Sequence, residues 1–219
     1  MRVGLFGGTF DPPHLGHLVT AVNLRHVLKL DIVVMMVAND PWQKHGTREV
    51  ASAVDRLAMV QAAIKDVHGL VAGDDEISRG GPSFTADTLA ILRDRYSDAE
   101  LFTIVGDDAA AKFGSWQRAN EIAKLSTLVV VDRPGSPLMP PSEFIWNRVE
   151  VPRLEVSSTD LRERFIDGRP LDYLVSTEVL EVIAERGLYG AQKSSVKKFG
   201  AKKSGAKKSG AEKSGADKS

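Results

Sequence analysis

A Rossmann-like, doubly wound α/β domain is predicted by three observations. Short apolar runs rich in β-branched residues recur along the chain. Segments with helical spacing separate them, so the strands are joined by crossovers and lie parallel. The runs are apolar at successive positions rather than alternating, which fits a mostly parallel sheet covered by helices on both faces. Right-handed crossovers then give the doubly wound arrangement. A small C-terminal helical part is expected beyond the last strand.

The elements follow in order. "RVGLFG" (2–7) opens the chain as the first strand, and Gly16 to Leu28 is the helix after it. "DIVVMMVA" (31–38) is a second strand, followed by a helix from Ala51 to Ile64. "GLVAGDDEI" (69–77) is a weaker strand, followed by a helix from Thr85 to Arg93. "LFTIVG" (101–106) and "STLVVVD" (126–132) are strands on either side of a shorter helix, Asn120 to Leu125. "PGSPLMPPSEF" (134–144) is a proline-rich exposed loop. "RVEVPRLEV" (148–156) is the expected last strand. "SSTDLRERFIDG" (157–168) is a helix with hydroxyl side chains at its start, and "STEVLEVIAERGLYG" (176–190) closes the domain, with a Ser or Thr cap and Gly187 as its stop.

The chain of 219 residues is long enough for one domain with a sizeable core, and 42% hydrophobic with 26% charged residues reads as soluble and globular. No apolar run approaches the ~18 residues of a membrane span. The absence of cysteine excludes disulfides and thiolate metal sites. A strand at the very start leaves no secretory pattern, so a cytoplasmic setting is expected. The neutral net charge conceals a split. From Ala191 onward nine lysines face only Glu212 and Asp217, a charge of +7, which leaves −7 on residues 1–190. The expected division is therefore a domain over 1–190 and a tail over 191–219. The tail repeats "AKKSG", "AEKSG" and "ADKS", cannot bury apolar area, and is expected to be disordered. It acts either as a solubilising appendage or as a weak, salt-sensitive contact for a polyanion.

The richest stretch is "GGTFDPPHLGH" (7–17). Gly7 and Gly8 let the backbone turn sharply and present bare N–H groups beside a helix start, a ready anion site. The spacing is neither G-x-G-x-x-G nor a Walker A loop, so a hydride-transferring dehydrogenase is disfavoured. His14 and His17 share one face of the first helical turn and can donate to phosphate oxygens as negative charge develops. A zinc pair would need a third ligand, and none stands out at suitable spacing.

These residues resemble the H-x-G-H signature of the nucleotidylyltransferase superfamily, and "VSSTDLR" (156–162) resembles its second signature, I-S-S-T-x-x-R. Within the superfamily the chain is most similar to the bacterial nicotinate mononucleotide adenylyltransferase family. "SRGGPSFTADTL" (78–89), "VGDDAAAKFGSW" (105–116) and "DRPG" (132–135) carry that similarity, which runs from Met1 to about Gly190. The implied reaction transfers AMP from ATP to nicotinate mononucleotide, giving nicotinate adenine dinucleotide and pyrophosphate, a step of NAD biosynthesis. The alternatives are a nicotinamide mononucleotide or phosphopantetheine acceptor, or a non-catalytic nucleotide- or nucleic-acid-associated protein working through the tail.

The resemblance implies roles for particular residues. His14, His17 and Arg162 would be catalytic, Arg162 as a planar clamp on the β- and γ-phosphates. Gly7, Gly8, Thr9, Phe10, Lys44, Ser157, Ser158 and Thr159 would bind ATP or its phosphates. Many relatives have Pro-His-Lys where this chain has Trp42-Gln43-Lys44, so His45 is an alternative to Lys44. Ser158 and Thr159 could instead only cap their helix. Thr85, Gly106, Asp108, Trp116 and Arg133 would bind the nicotinate nucleotide, with the Trp116 ring stacked on the pyridine. Thr85 as a bare N-cap, Trp116 as a core residue and Arg133 as a loop brace are the competing readings. Asp107 lies outside the matched pattern. Mg²⁺ would accompany ATP, held by phosphates and water, with no dedicated protein metal site. The partners are small molecules, no membrane is implied, and homo-oligomerisation is left open.

Overall fold

The computed structural model describes residues 1–41, 50–131, 139–152 and 154–191. Six strands form one sheet in the order β3-β2-β1-β4-β5-β6: β1 (Arg2–Gly8), β2 (Ile32–Val37), β3 (Leu70–Gly73), β4 (Glu100–Gly106), β5 (Thr127–Val131) and β6 (Trp146–Val149). Every pairing is parallel, for example Leu5 with Val34 on one side and with Thr103 on the other. The strand order reverses between β1 and β4. A crevice therefore opens beyond their carboxyl ends, the place where such sheets bind ligands.

The helices are α1 (Leu15–Val27), α2 (Ala53–Ile64), α3 (Asp75–Arg79), α4 (Thr85–Arg95), α5 (Asp107–Ala110), α6 (Ala119–Leu125), α7 (Ser158–Asp167) and α8 (Thr177–Arg186). Side chains of β2 show how both sheet faces are covered. Val33, Met35 and Val37 join a core with Leu24 of α1 and Val60 of α2. Val34 and Met36 point the other way, into a core with Leu89 and Leu92 of α4 and Ile122 of α6. Alternation along a strand with both faces buried is why this run is apolar at every position.

A third cluster carries the C-terminal part. Val179, Leu180 and Ile183 of α8 pack with Met59 of α2 and Leu161 of α7. Ser176 caps α8 by accepting from the Val179 N–H, and Gly187 ends it in the left-handed region (φ 63). The Leu15 N–H donates to the Leu174 carbonyl at 3.0 Å, tying this part to the start of α1. No helix among the described residues is long and apolar enough to cross a membrane.

Two elements differ from the sequence expectation by more than two residues. The run at 69–77 is a strand only to Gly73, and α3 begins at Asp75. The last strand is not 148–156 but Trp146–Val149, an edge strand. Pro152 has no N–H to give a ladder and holds Val151 in place, so pairing stops before it. Val151, Pro152, Leu154, Glu155 and Val156 instead line the crevice.

Candidate active site

Two cavities open at the carboxyl end of the sheet. The larger, about 780 Å³, lies between the β1–α1 connection and the start of α7 and is lined by Thr9, Phe10, His14, His17, Ser157 and Arg162 among others. The smaller, about 210 Å³, lies between β1, β4 and the start of α4 and is lined by Gly7, Gly8, Thr85, Trp116 and Gln117 among others. Phe6, Thr9 and Gly106 line both. The cavities therefore meet at the end of β1 and β4, which gives one cleft with two compartments.

The β1–α1 connection is shaped by a close approach and a left-handed residue. Phe10 has φ 49 and is buried. A Cβ at Gly8 would come within 2.7 Å of the Phe10 ring, so only glycine admits that ring. The Phe10 ring in turn meets His17 edge-on, with centroids 5.0 Å apart. His14 occupies the N-cap position of α1, and the His14 and His17 rings stack at 3.7 Å. A Cβ at Gly16 would lie 3.0 Å from His14 Nδ1, so the glycine makes room for that imidazole.

Both histidines are neutral in this environment. Burial lowers the pKa of His14 from 6.5 to about 4. Burial, and then the neighbouring His14, hold His17 well below 6.5. The His14 backbone N–H donates to His17 Nδ1 at 3.2 Å, which requires a lone pair there and puts the His17 proton on Nε2. Nδ1 of His14 is buried with no hydrogen-bond partner among the described residues.

The start of α7 faces this pair. Ser157 caps the helix, accepting from the Asp160 N–H at 3.2 Å. Ser158 does not cap; its hydroxyl donates to the Pro12 carbonyl at 2.9 Å and so fastens α7 to the β1–α1 connection. Thr159 accepts from Arg162 Nη2 at 3.2 Å. Arg162 Nη1 donates to the Asp11 carbonyl at 2.7 Å, fixing the guanidinium at the cavity wall.

In the smaller compartment the first turn of α4 and an aromatic ring stand together. Phe84, not Thr85, occupies the N-cap position, so Thr85 is the first helical residue and its hydroxyl is not spent on capping. Trp116 is half-buried, packs on Phe113 at 5.4 Å, and also lines the cavity, so it is a core and a cavity residue at once. Its Nε1 is buried without a hydrogen-bond partner among the described residues. Gly106 ends β4 in the cleft, whereas Asp108 is exposed on α5 and lines neither cavity. Lys44, His45 and Arg133 lie outside the described residues. Gly7 and Gly8, expected beside the ATP phosphates, line the smaller compartment rather than the larger.

Some residues at the site escaped the sequence reading. Arg56 is fully buried and donates to the carbonyls of Thr9, Ala38 and Asn39 at 2.9, 2.7 and 3.1 Å, bracing the ends of β1 and β2. Glu76 lines the smaller compartment and accepts from the Thr88 hydroxyl at 2.6 Å, linking α3 to α4. An arginine amid an otherwise apolar helical stripe, "DRLAMV", was the available sign of the first. Nothing local marked the second.

The cytidylyltransferase-like family model matches residues 5–164, a span holding both histidines and Arg162. Among curated relatives, a "Probable nicotinate-nucleotide adenylyltransferase" of Exiguobacterium sibiricum is 40% identical over 189 residues, covering 86% of this chain and 99% of that protein. One of the same name from Corynebacterium kroppenstedtii is 41% identical over 192 residues, covering 86% and 90%. This chain belongs to the nicotinate-nucleotide adenylyltransferase family. The fold agrees with a solved structure of Plasmodium falciparum nicotinic acid mononucleotide adenylyltransferase complexed with NaAD, at a TM-score of 0.70 and 14% identity over 88% of this chain and 98% of that one. A putative nicotinate-nucleotide adenylyltransferase from Vibrio parahaemolyticus superposes at 0.63 with 23% identity, covering 86% and 96%.

Proposed function

We infer that the protein transfers AMP from ATP to the 5′-phosphate of nicotinate mononucleotide, releasing nicotinate adenine dinucleotide and pyrophosphate, as a step of NAD biosynthesis. The observation that carries this reading is the cleft itself. A large compartment with two neutral histidines and a fixed arginine meets, at Phe6, Thr9 and Gly106, a smaller compartment with a flat indole and a helix start. Two nucleotides placed one in each would bring an acceptor phosphate and the ATP α-phosphorus together where the compartments join.

The chemistry is positioning plus charge stabilisation. An oxygen of the acceptor phosphate attacks the α-phosphorus, the bond to the bridging oxygen breaks opposite it, and pyrophosphate departs. No protein nucleophile takes part. His17 offers its Nε2 proton, and His14 stands beside it, to oxygens on which charge grows. Arg162, held by Asp11 and Thr159, meets the β- and γ-phosphates as a permanently charged planar donor. Thr9 and Phe10 present backbone at the join, and Ser157, Ser158 and Thr159 keep the α7 start against it. The Thr85 and Ala86 N–H groups at the start of α4 suit the nicotinate carboxylate, with the Thr85 hydroxyl beside them and Trp116 against the ring. Gly7, Gly8 and Gly106 permit close approach on this side. Lys44 remains proposed as a phosphate ligand, and Arg133 and Asp108 as nucleotide contacts.

Mg²⁺ is proposed to arrive with ATP, held by phosphates and water, and to screen the polyphosphate charge. The His14 and His17 imidazoles, the Ser157 and Thr159 hydroxyls and Arg162 in the larger compartment suit the phosphates that would hold it. The setting proposed is cytoplasmic, where both soluble substrates are found. The test is pyrophosphate release from ATP and nicotinate mononucleotide. His17→Ala should lower kcat by roughly 100-fold or more while the protein stays folded. Undiminished turnover in that variant would remove the histidines from the mechanism.

A further inference from the structure

Tyr189 stands near the end of the described chain, in a short turn at Leu188–Gly190 after α8. Its backbone is left-handed (φ 54, ψ 27), a conformation that residues with side chains rarely adopt and that costs energy wherever it persists. Such a conformation persists where the surrounding structure holds it, and here the side chain shows what holds it. The Tyr189 hydroxyl donates to Asp11 Oδ1 at 2.6 Å, across 178 positions of sequence. Its ring packs on Phe165 of α7, with centroids 5.5 Å apart.

Asp11 is buried beside the phosphate compartment. Its Oδ1 also accepts from the Ala51 N–H at 3.3 Å. Its carbonyl holds Arg162 Nη1 at 2.7 Å, while its Oδ2 stays 3.9 Å from the same nitrogen. So the carboxylate faces Tyr189 and Ala51, and only the carbonyl makes a close contact with the guanidinium. Phe165 lies three residues beyond Arg162 on α7, so Tyr189 touches that helix as well as the residue that anchors its arginine.

We propose that Tyr189 is a positioning residue for adenylyl transfer, holding the Asp11 carboxylate away from Arg162 so that the guanidinium meets the ATP phosphates. Without the phenol O–H, Asp11 Oδ1 loses a donor at 2.6 Å. The carboxylate then turns toward Arg162, shortens the loose 3.9 Å ion pair into a hydrogen-bonded one, and competes with the phosphates. This rests on the reading of Arg162 as a polyphosphate ligand.

The experiment measures KM for ATP and for nicotinate mononucleotide in Tyr189→Phe, Arg162→Lys and the double variant, with the thermal midpoint of each. Tyr189→Phe keeps the ring against Phe165. It should raise KM for ATP roughly tenfold, the effect of one hydrogen bond to a charged group, and leave KM for the acceptor within about twofold. In the Arg162→Lys background it should add less than about twofold, because the two act through one contact. Unchanged KM for ATP in Tyr189→Phe, or equal shifts in both KM values, overturns the proposal. If Arg162→Lys raises KM for ATP and Tyr189→Phe does not, the positioning role fails and the Arg162 reading stands. If Arg162→Lys also leaves KM for ATP unchanged, both fail. Should Tyr189→Phe not fold alone, it is made together with Asp11→Asn, which removes the competing charge: Asp11→Asn should not raise KM for ATP, and Tyr189→Phe added to it should change that KM by less than about twofold; a further rise on adding Tyr189→Phe overturns the proposal.

Discussion

Lowering the pH from about 7.5 to about 5 should destabilise the ligand-free protein through His14 and His17. Both have folded-state pKa values below the unfolded one, 6.5 falling to about 4 for His14 and well below 6.5 for His17. Between those values the unfolded chain binds more protons than the native one. Stability is therefore present above about pH 6.5 and is lost as pH falls toward 4. A histidine that stays neutral at pH 5 against an unfolded value of 6.5 costs RT ln(1 + 10^1.5), ~2 kcal/mol. For His14 the cost is ~2 kcal/mol, or about 4–8 °C in Tm for a domain of this size, and His17 acts in the same direction. The carboxylates do not confuse the window. Asp55, held low by the Ser52 hydroxyl and then Arg186, and Asp160, held low by Arg164 and Arg169, start below 3.8 and lose their contribution only under more acidic conditions. The assay is urea unfolding across this range for the native sequence and for His14→Asn/His17→Asn. The double variant should lose most of the slope with pH. A saturating ATP analogue should also flatten it, since phosphate charge raises both pKa values. Equal slopes in the native protein and the double variant would refute the burial argument.

Other outcomes follow from the same geometry. Trp116→Ala should raise KM for nicotinate mononucleotide by roughly 10- to 30-fold through lost ring contact, with KM for ATP nearly unchanged, as steady-state kinetics would show. Gly16→Ala puts a methyl group 3.0 Å from His14 Nδ1, so kcat should fall by about tenfold with fold retained by circular dichroism. Arg56→Met leaves the Thr9, Ala38 and Asn39 carbonyls without their shared donor and should cost on the order of 3 kcal/mol in urea unfolding, with KM for ATP raised as the β1 end loosens.

Much of this was legible because local signals and global fold agree. β2 reads as a buried strand because Val33 to Val37 are apolar on both faces, and the sheet buries both. The glycine turn and paired histidines sit where the strand order reverses, as an anion-binding turn after a first strand should. Ser157 and Ser176 cap the helices that their positions suggest. What stayed hidden is long-range. Ser158 to Pro12 spans 146 residues and Tyr189 to Asp11 spans 178, and no periodicity announces such pairs. The last strand was misplaced because β-branched residues on both sides of Pro152 mimic a strand that the proline prevents. Thr85 resembles a cap by residue type, yet the helix begins one residue earlier in register, with Phe84 at the N-cap position. The resemblance singled out Asp108 and set Asp107 aside, yet Asp107 is the buried one of the two and Asp108 is exposed.

The most direct test of the central claim is pyrophosphate release with ATP and Mg²⁺, comparing nicotinate mononucleotide, nicotinamide mononucleotide and phosphopantetheine as acceptors. The account predicts a kcat/KM for the acid nucleotide at least roughly tenfold above the amide, with negligible release from phosphopantetheine, because the acid alone brings a carboxylate to the α4 start. Equal use of acid and amide, or preference for phosphopantetheine, would contradict the assignment of the Trp116 compartment.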